Sequence, residues 1–506
     1  MGTSTDRSGS LKLVGRKFLQ QQDIRQDSEM LNFPVKVLQI GEGNFLRGFF
    51  DWMIYECNRQ GLFQGSVAVS QPRPGGRPKL EQLREQEGIY GLLTRGLQDG
   101  RKVEKEQWIP VFSKIVDPYA EWENFLRIAE LDSLDIIVSN TTEAGLDYQR
   151  SEWNPDEPVL SYPGKLTMLL YRRYKHYEGS PDKGLMILPC ELLERNGDIL
   201  RSIVLRHAQD WGLSPAFQSW VAEHNLFLNS LVDRIVTGYP DEAERYFDKW
   251  GHQDRLLNTA EPYYFWAIEG DPSLESRLPL RSAGLQVSWV SDLTPYQVRK
   301  VRILNGTHTL MASIGLLHGL NEVKEMTESP EWGDRIRNAM LEEIVPGVPL
   351  PPEEVAAYAA TVWERFGNPF IRHRLQDIAM NSMSKFRVRV LPSLKEYIKM
   401  HNELPSTITL GLASLIRLYH IGTKEGQWYG TRLDGERLPL RDDPDNLMTL
   451  QQAWQKVDGG EWTIRQLVAS ILGNQRIWGE DLNRIPALHE TISSYIEEME
   501  LNNTHE

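Results

Sequence analysis

The sequence predicts an α/β domain followed by a mostly α-helical one. Three observations predict it. Short apolar runs of strand length alternate with helical patterns through the first 290 or so residues, the signature of a parallel sheet covered on both faces. From about Pro295 onward helical spacing dominates and no series of strands stands out. The length, 506 residues, exceeds what one hydrophobic core organises. The expected division is a loose polar leader over 1–33, an α/β domain over 34–290 and a helical domain over 291–506.

The elements follow in order. Val35 to Ile40 is a short apolar strand, and the turn Gly41-Glu42-Gly43-Asn44 leads into helical spacing from Phe45 to Cys57. Ser66 to Ser70 is the next strand. Together they have the length of a strand–helix–strand crossover. Tyr90 to Phe112 mixes β-formers around Asp99-Gly100 and reads as an inserted β-hairpin. Asp135 to Ser139 and Leu185 to Pro189 are further buried strands, with helices over Pro163 to His176 and Ile199 to Asp210. In the second half, helical spacing covers 295–317, 331–344, 352–366, 369–384, 391–400, 406–421, 447–456, 463–473 and 484–499.

Gly41-x-Gly43 between a strand and a helix is a dinucleotide signal. The first glycine makes a tight turn, the second lets backbone approach a pyrophosphate, and the helix start supplies N–H donors. Such a turn defines a Rossmann-type domain with the cofactor along Ile40, Gly41, Glu42, Gly43, Asn44, Phe45, Leu46 and Arg47. Leu46 stands where a third glycine is usual, and Gly48 follows. An acid for the adenosine ribose is expected after the second strand. None occurs in 66–79, where Gln71, Arg73, Arg77 and Lys79 stand instead. The residues alone leave NAD and NADP open.

Charge and cysteine usage narrow the partners. The net charge of −14 excludes a broad nucleic-acid footprint or an anionic membrane as main partner, while local arginines still permit an anionic small molecule. Two cysteines, Cys57 and Cys190, make neither a disulfide framework nor a cysteine zinc site. The polar stretch Met1 to Asp27 has no signal-peptide core and no run of 18 apolar residues exists, so a cytoplasmic protein is expected.

The stretch Lys300-Val301-Arg302-Ile303-Leu304-Asn305-Gly306-Thr307-His308 places three polar groups on a largely apolar helix that starts at Thr294-Pro295. At about 100° per residue, Lys300, Asn305 and His308 fall within an arc of roughly 140°. A lysine serves as acid/base, an asparagine amide stabilises an oxyanion, and a histidine orients a hydroxyl or carbonyl. Ammonium and amide are not a metal-ligand set, so no metal is expected. Arg372, His373, Arg374 and Lys385 form a basic group after Asn368-Pro369. Of these, Arg372, His373 and Lys385 are the candidates for a substrate carboxylate, with Arg372 first.

With these motifs on the page the chain resembles the polyol-specific long-chain dehydrogenases, the family of mannitol 2-dehydrogenase and the hexuronate-pathway reductases. The resemblance rests on Gly41 to Arg47, on Lys300-x-x-x-x-Asn305-x-x-His308, and on the runs Ser139 to Gly145, Ser161 to Thr167, Pro189 to Leu192, Leu231 to Pro240 and Asn368 to His373. It implies metal-independent, NAD-dependent hydride transfer between ketone and alcohol. Lys300 would be the general acid/base, Asn305 an oxyanion donor and His308 a substrate-positioning group. Leu192 stands where mannitol dehydrogenases carry a second oxyanion asparagine, and Gln297 where they carry a glutamate. The expected substrate is a keto-hexuronate, with its epimer open and a neutral polyol as the alternative. A dinucleotide sensor without chemistry is the competing class, and it has no use for a base. Oligomeric state is not legible.

Overall fold

The computed structural model describes residues 11–22 and 24–503, and the chain divides into two compact units. One runs to Arg95 and resumes over Lys102–Leu293; the other comprises Gly96–Arg101 and Thr294–Glu506.

The first unit is built on a six-stranded parallel sheet: β1 (Val35–Ile40), β2 (Ser66–Ser70), β3 (Phe112–Val116), β4 (Ile136–Ser139), β5 (Met186–Pro189) and β6 (Leu226–Phe227). Their order is β3-β2-β1-β4-β5-β6, the doubly wound arrangement of a Rossmann domain. Both faces are covered, which is why β2, β4 and β5 read as mainly apolar runs and not as an alternation. Val37, Val67, Val69, Ile136 and Val138 enter the core on one face, with Phe50, Met53 and Ile54 of the helix Phe50–Arg59. Leu38, Ile40, Ala68 and Ile137 enter the other, with residues of the helices Tyr162–His176 and Asn196–Asp210. The register sets Ile40 beside both Ser70 and Ser139, and Ser139 beside Pro189. The loops leaving these strands therefore start at one level.

The inserted hairpin is present as Ile89–Gln98 and Arg101–Pro110. Asp99 (φ 53°) and Gly100 (φ 71°) join the strands, the two left-handed residues that a tight hairpin turn needs. The hairpin belongs to a four-stranded sheet with Val236–Gly238 and Asn258–Ala260.

The loose leader is corrected. Residues 1–10 lie outside the described residues. From Leu11 the chain is built into the unit: Lys12–Leu13 pairs in parallel with His252–Gln253, and Val14, Phe18, Leu19 and Leu31 pack with Ile89 in a small core. The helix Arg16–Gln21 contributes Phe18 and Leu19 to it.

The second unit is mostly helical around the buried helix Thr307–Leu317, which packs on Ser406–Leu418. Two expectations fail. A three-stranded antiparallel sheet (Gly422–Lys424, Gln427–Thr431, Arg437–Pro439) follows the Ser406–Leu418 helix. Its strands are too short to show an alternation. The helix expected over 369–384 is also absent. An irregular segment runs to Arg374, and helices cover only Leu375–Ile378 and Ser382–Arg389. The segment pairs instead with 321–323: Val323 N donates to His373 O at 3.0 Å, Leu375 N to Asn321 O at 2.8 Å, and Arg374 bridges Glu322.

Candidate active site

Gly41 and Gly43 divide the work of the turn after β1. Gly41 has φ +128°, which disfavours any side chain, and a Cβ there would stand 2.8 Å from the Asn140 carbonyl oxygen leaving β4. Gly43 has an ordinary φ of −69° and caps the helical turn Asn44–Arg47. No atom lies within 4 Å of a Cβ built on it. That open face, at the end of β1 where the strand order reverses, fits backbone approach by a dinucleotide pyrophosphate. Of the eight residues Ile40 to Arg47, Ile40 and Leu46 are core. Phe45 stacks on Phe49 at 5.0 Å. Arg47 is buried and donates to Leu256 O (2.5 Å) and Asn44 Oδ1 (2.6 Å). The residues at the rim are Glu42, Gly43 and Asn44. The missing third glycine has a counterpart in Gly48, where a Cβ would be 2.8 Å from Val236 Cγ1.

Opposite the turn, the loop after β4 is held by a residue whose role sequence reasoning missed. Glu191 is buried, and its carboxylate accepts from Thr141 N (3.0 Å), Thr141 Oγ1 (3.0 Å) and Ser139 Oγ (3.1 Å). Burial pushes its pKa up, and these donors work against that rise. Asn140 Nδ2 donates to Cys190 O at 2.8 Å. Thr142, two residues after Asn140, is exposed with φ 103°, a conformation strained for a β-branched residue and of the kind found beside ligands. Leu192 is 65% exposed.

In the helical unit, Lys300 and Asn305 do not lie on an α-helix. The helix Thr294–Arg299 passes into a π-helix over Lys300–Gly306 and returns to α at Thr307. Hydrogen bonds from i to i+5 widen the turn, so the α-helical arc does not apply and Asn305 comes one π turn after Lys300. Both residues are half-buried. The segment is pinned on each side. Arg299 Nη1 donates to Glu354 Oε1 at 2.7 Å and lies over the Tyr358 ring, and Arg302 Nη1 donates to Gly347 O at 2.6 Å. Gly306 lies against the Arg389 carbonyl, 3.0 Å from where a Cβ would stand.

His308 is buried, with its ring 4.6 Å from that of Phe366 and 4.5 Å edge-on from that of His373. Its Nε2 is buried without a hydrogen-bond partner. Burial, and then His373, Arg365 and Arg389, hold its pKa well below the ordinary imidazole value. Burial thus favours the neutral ring.

The basic group separates. Along the extended segment successive side chains alternate in direction. His373 is half-buried against His308, while Arg372 has a 75% exposed side chain and pairs with Glu322 at 2.8 Å. Lys385 is half-buried and donates to Ile378 O at 2.8 Å, with burial and then Arg389 lowering its pKa. Arg365 and Arg389, which face His308 electrostatically, were not singled out from sequence. Arg389 lies four residues after Lys385 on one helix, a spacing that places both on one face.

No three of His, Cys, Asp and Glu gather as a metal-ligand group among the described residues. Nor is any described helix long and apolar enough to cross a membrane.

A doubly wound sheet with a G-x-G turn, and a helical unit that carries a lysine, an asparagine and a buried histidine, are the features expected of a dinucleotide-dependent oxidoreductase. Family models agree: the mannitol dehydrogenase Rossmann domain matches residues 35–282, and the mannitol dehydrogenase C-terminal domain matches 292–500. The chain belongs to the mannitol dehydrogenase family, and it is an oxidoreductase acting on CH–OH groups with a cofactor of the NAD type. Among its relatives, an altronate oxidoreductase of Bacillus subtilis is 42% identical over 94% of this chain and 93% of its own. One of Klebsiella pneumoniae is 38% identical over 93% and 95%. In fold the chain is similar to a Pseudomonas fluorescens mannitol 2-dehydrogenase solved with NAD and D-mannitol (TM-score 0.66, 19% identity, 94% and 93% covered). It is also similar to a D-sorbitol dehydrogenase (TM-score 0.75, 19% identity, 94% and 95% covered).

Proposed function

We propose that the chain interconverts tagaturonate and altronate with NAD(H), using Lys300 as general acid/base and no metal. The buried, unpartnered Nε2 of His308 carries the reading: it is a ring nitrogen reserved for a substrate oxygen, one α turn beyond the Asn305 end of the π segment. The altronate oxidoreductases among the relatives support the substrate pair.

The turn within Ile40 to Arg47 would hold NADH, with Glu42, Gly43 and Asn44 at its rim, and the bound cofactor would supply a hydride to the carbonyl carbon of a keto-uronate. As negative charge grows on the carbonyl oxygen, the Asn305 amide donates to it and the Lys300 ammonium gives it a proton. The product is the alcohol, and the neutral lysine regains its proton from solvent. His308, held neutral, orients the substrate by a hydrogen bond without adding charge. The substrate carboxylate is met by the basic group after Asn368: Arg372, His373 and Lys385, with Arg365 and Arg389 adding positive field. A neutral polyol offers nothing for that group to bind, which favours a sugar acid.

A spectrophotometric assay following NADH tests the proposal. Tagaturonate should be reduced with a higher kcat/KM than fructuronate or fructose, and activity should survive exhaustive chelation. Preference for fructose would reassign the chain to neutral polyols. NADH binding without turnover of any of the three would make it a sensor.

A further inference from the structure

No acid follows the second strand within residues 66–79, but a carboxylate approaches that place from the glycine turn. Gln71, at the end of β2, is 1% exposed, and its Nε2 donates to Asp117 Oδ1 at 2.8 Å at the end of β3. Five residues on, Gly76 forms a notch. A Cβ there would land on the Glu42 carboxylate and stand 2.7 Å from the Cβ of Gln71. The carboxylate of the glycine turn thus reaches across to the end of the second strand, the place where α/β dinucleotide domains bind the adenosine ribose. Both side chains that crowd Gly76 carry a buried oxygen without a hydrogen-bond partner, Glu42 Oε2 and Gln71 Oε1.

We propose that Glu42, delivered from the glycine turn and not from the second strand, is the ribose-reading acid that selects NAD over NADP. This rests on the cofactor reading above and names the residue that discriminates within it. The unpartnered Glu42 oxygen accepts from a ribose hydroxyl, with Gln71 Oε1 as a second acceptor beside it. A 2′-phosphate would put a dianion against a carboxylate. Lys79 and Arg73 face Glu42 electrostatically, and in the parent their charge is answered by it. Burial raises the Glu42 pKa while these cations oppose the rise. Remove the carboxylate and the same two cations become a phosphate site. The floor of the notch is tied down by Lys165, which donates to Pro72 O (2.9 Å), Leu160 O (2.8 Å) and the Tyr119 hydroxyl (2.8 Å).

The test is equilibrium titration of NADH and NADPH by fluorescence on the parent, Glu42→Gln and Glu42→Ala, with thermal melting as the fold control. The parent should bind NADH more tightly. Glu42→Gln removes charge but keeps an acceptor, so NADPH binding should tighten about tenfold while NADH binding weakens only a few-fold. Glu42→Ala should also weaken NADH about tenfold, since only the Gln71 acceptor remains. A NADH/NADPH ratio within about twofold of the parent's in both variants overturns the proposal, as does equal loss of both nucleotides, which marks Glu42 as merely shaping the turn. A parent that binds neither nucleotide defeats the cofactor reading itself, an outcome visible before any variant is made.

Discussion

Gly41 and Gly43 stand two residues apart in one turn and answer to different constraints. Gly41 is needed by the fold, because its positive φ and the Asn140 carbonyl at 2.8 Å leave no room for a side chain. Gly43 has room in the protein alone, so the fold itself does not demand a glycine there. Gly41→Val should therefore lower the melting temperature, for a strain of about 1–3 kcal/mol. Gly43→Val should melt like the parent and weaken NADH binding severely. If Gly43→Val binds NADH normally, the pyrophosphate is not at this turn. At this scale the sequence was informative about residue type and poor about surroundings. The G-x-G spacing and the Lys-Asn-His spacing are visible as letters. The burial of Arg47, the Glu191 anchor and the Gly76 notch are contacts between residues far apart in the chain, which no local pattern encodes.

Elements were legible where one periodicity holds over many residues. The helix Pro352–Phe366 and the strands β1 and β2 lie where their patterns place them. Besides the small sheet over 422–439, two places broke the pattern, and both carry candidate site residues. The π-helix at Lys300–Gly306 is indistinguishable from an α-helix by composition, because its cause is tertiary: Arg299 and Arg302 are held by the chain around Glu354 and Gly347. The segment before Leu375 has helix-compatible residues but takes its hydrogen bonds from 321–323. The alternation along it has a functional consequence. His373 touches His308, whereas Arg372 has to leave Glu322 to reach a carboxylate. Arg372→Ala should raise KM for tagaturonate and leave a neutral ketose at high concentration little affected. His373→Ala should lower kcat as well, since it also disturbs His308, the ring proposed to position substrate. Equal losses on both substrates for Arg372→Ala would give that arginine a structural role.

Across the whole molecule, the two family models meet near residue 290, close to the change from sheet to helices that the periodicity shows. The hairpin tip is the exception. Residues 96–101 cluster with the helical unit, and Gly100 N donates to Glu364 Oε1 there, at 2.5 Å. A net charge of −14 coexists with cations gathered around His308 and around Glu42, so the overall field says little about either site. The central claim is that the cofactor-binding domain supplies binding and the helical domain supplies the proton. Single-turnover NADH oxidation by tagaturonate, followed across pH in the parent and in Lys300→Ala, tests it most directly. NADH affinity and melting should be unchanged, while the rate should fall about 10²–10⁴-fold, the size of a lost acid/base group. The parent's pH dependence should disappear with it, and small primary amines should restore part of the rate. A variant that reacts within a few-fold of the parent, with the same pH profile, would contradict the mechanism and assign the proton to another residue.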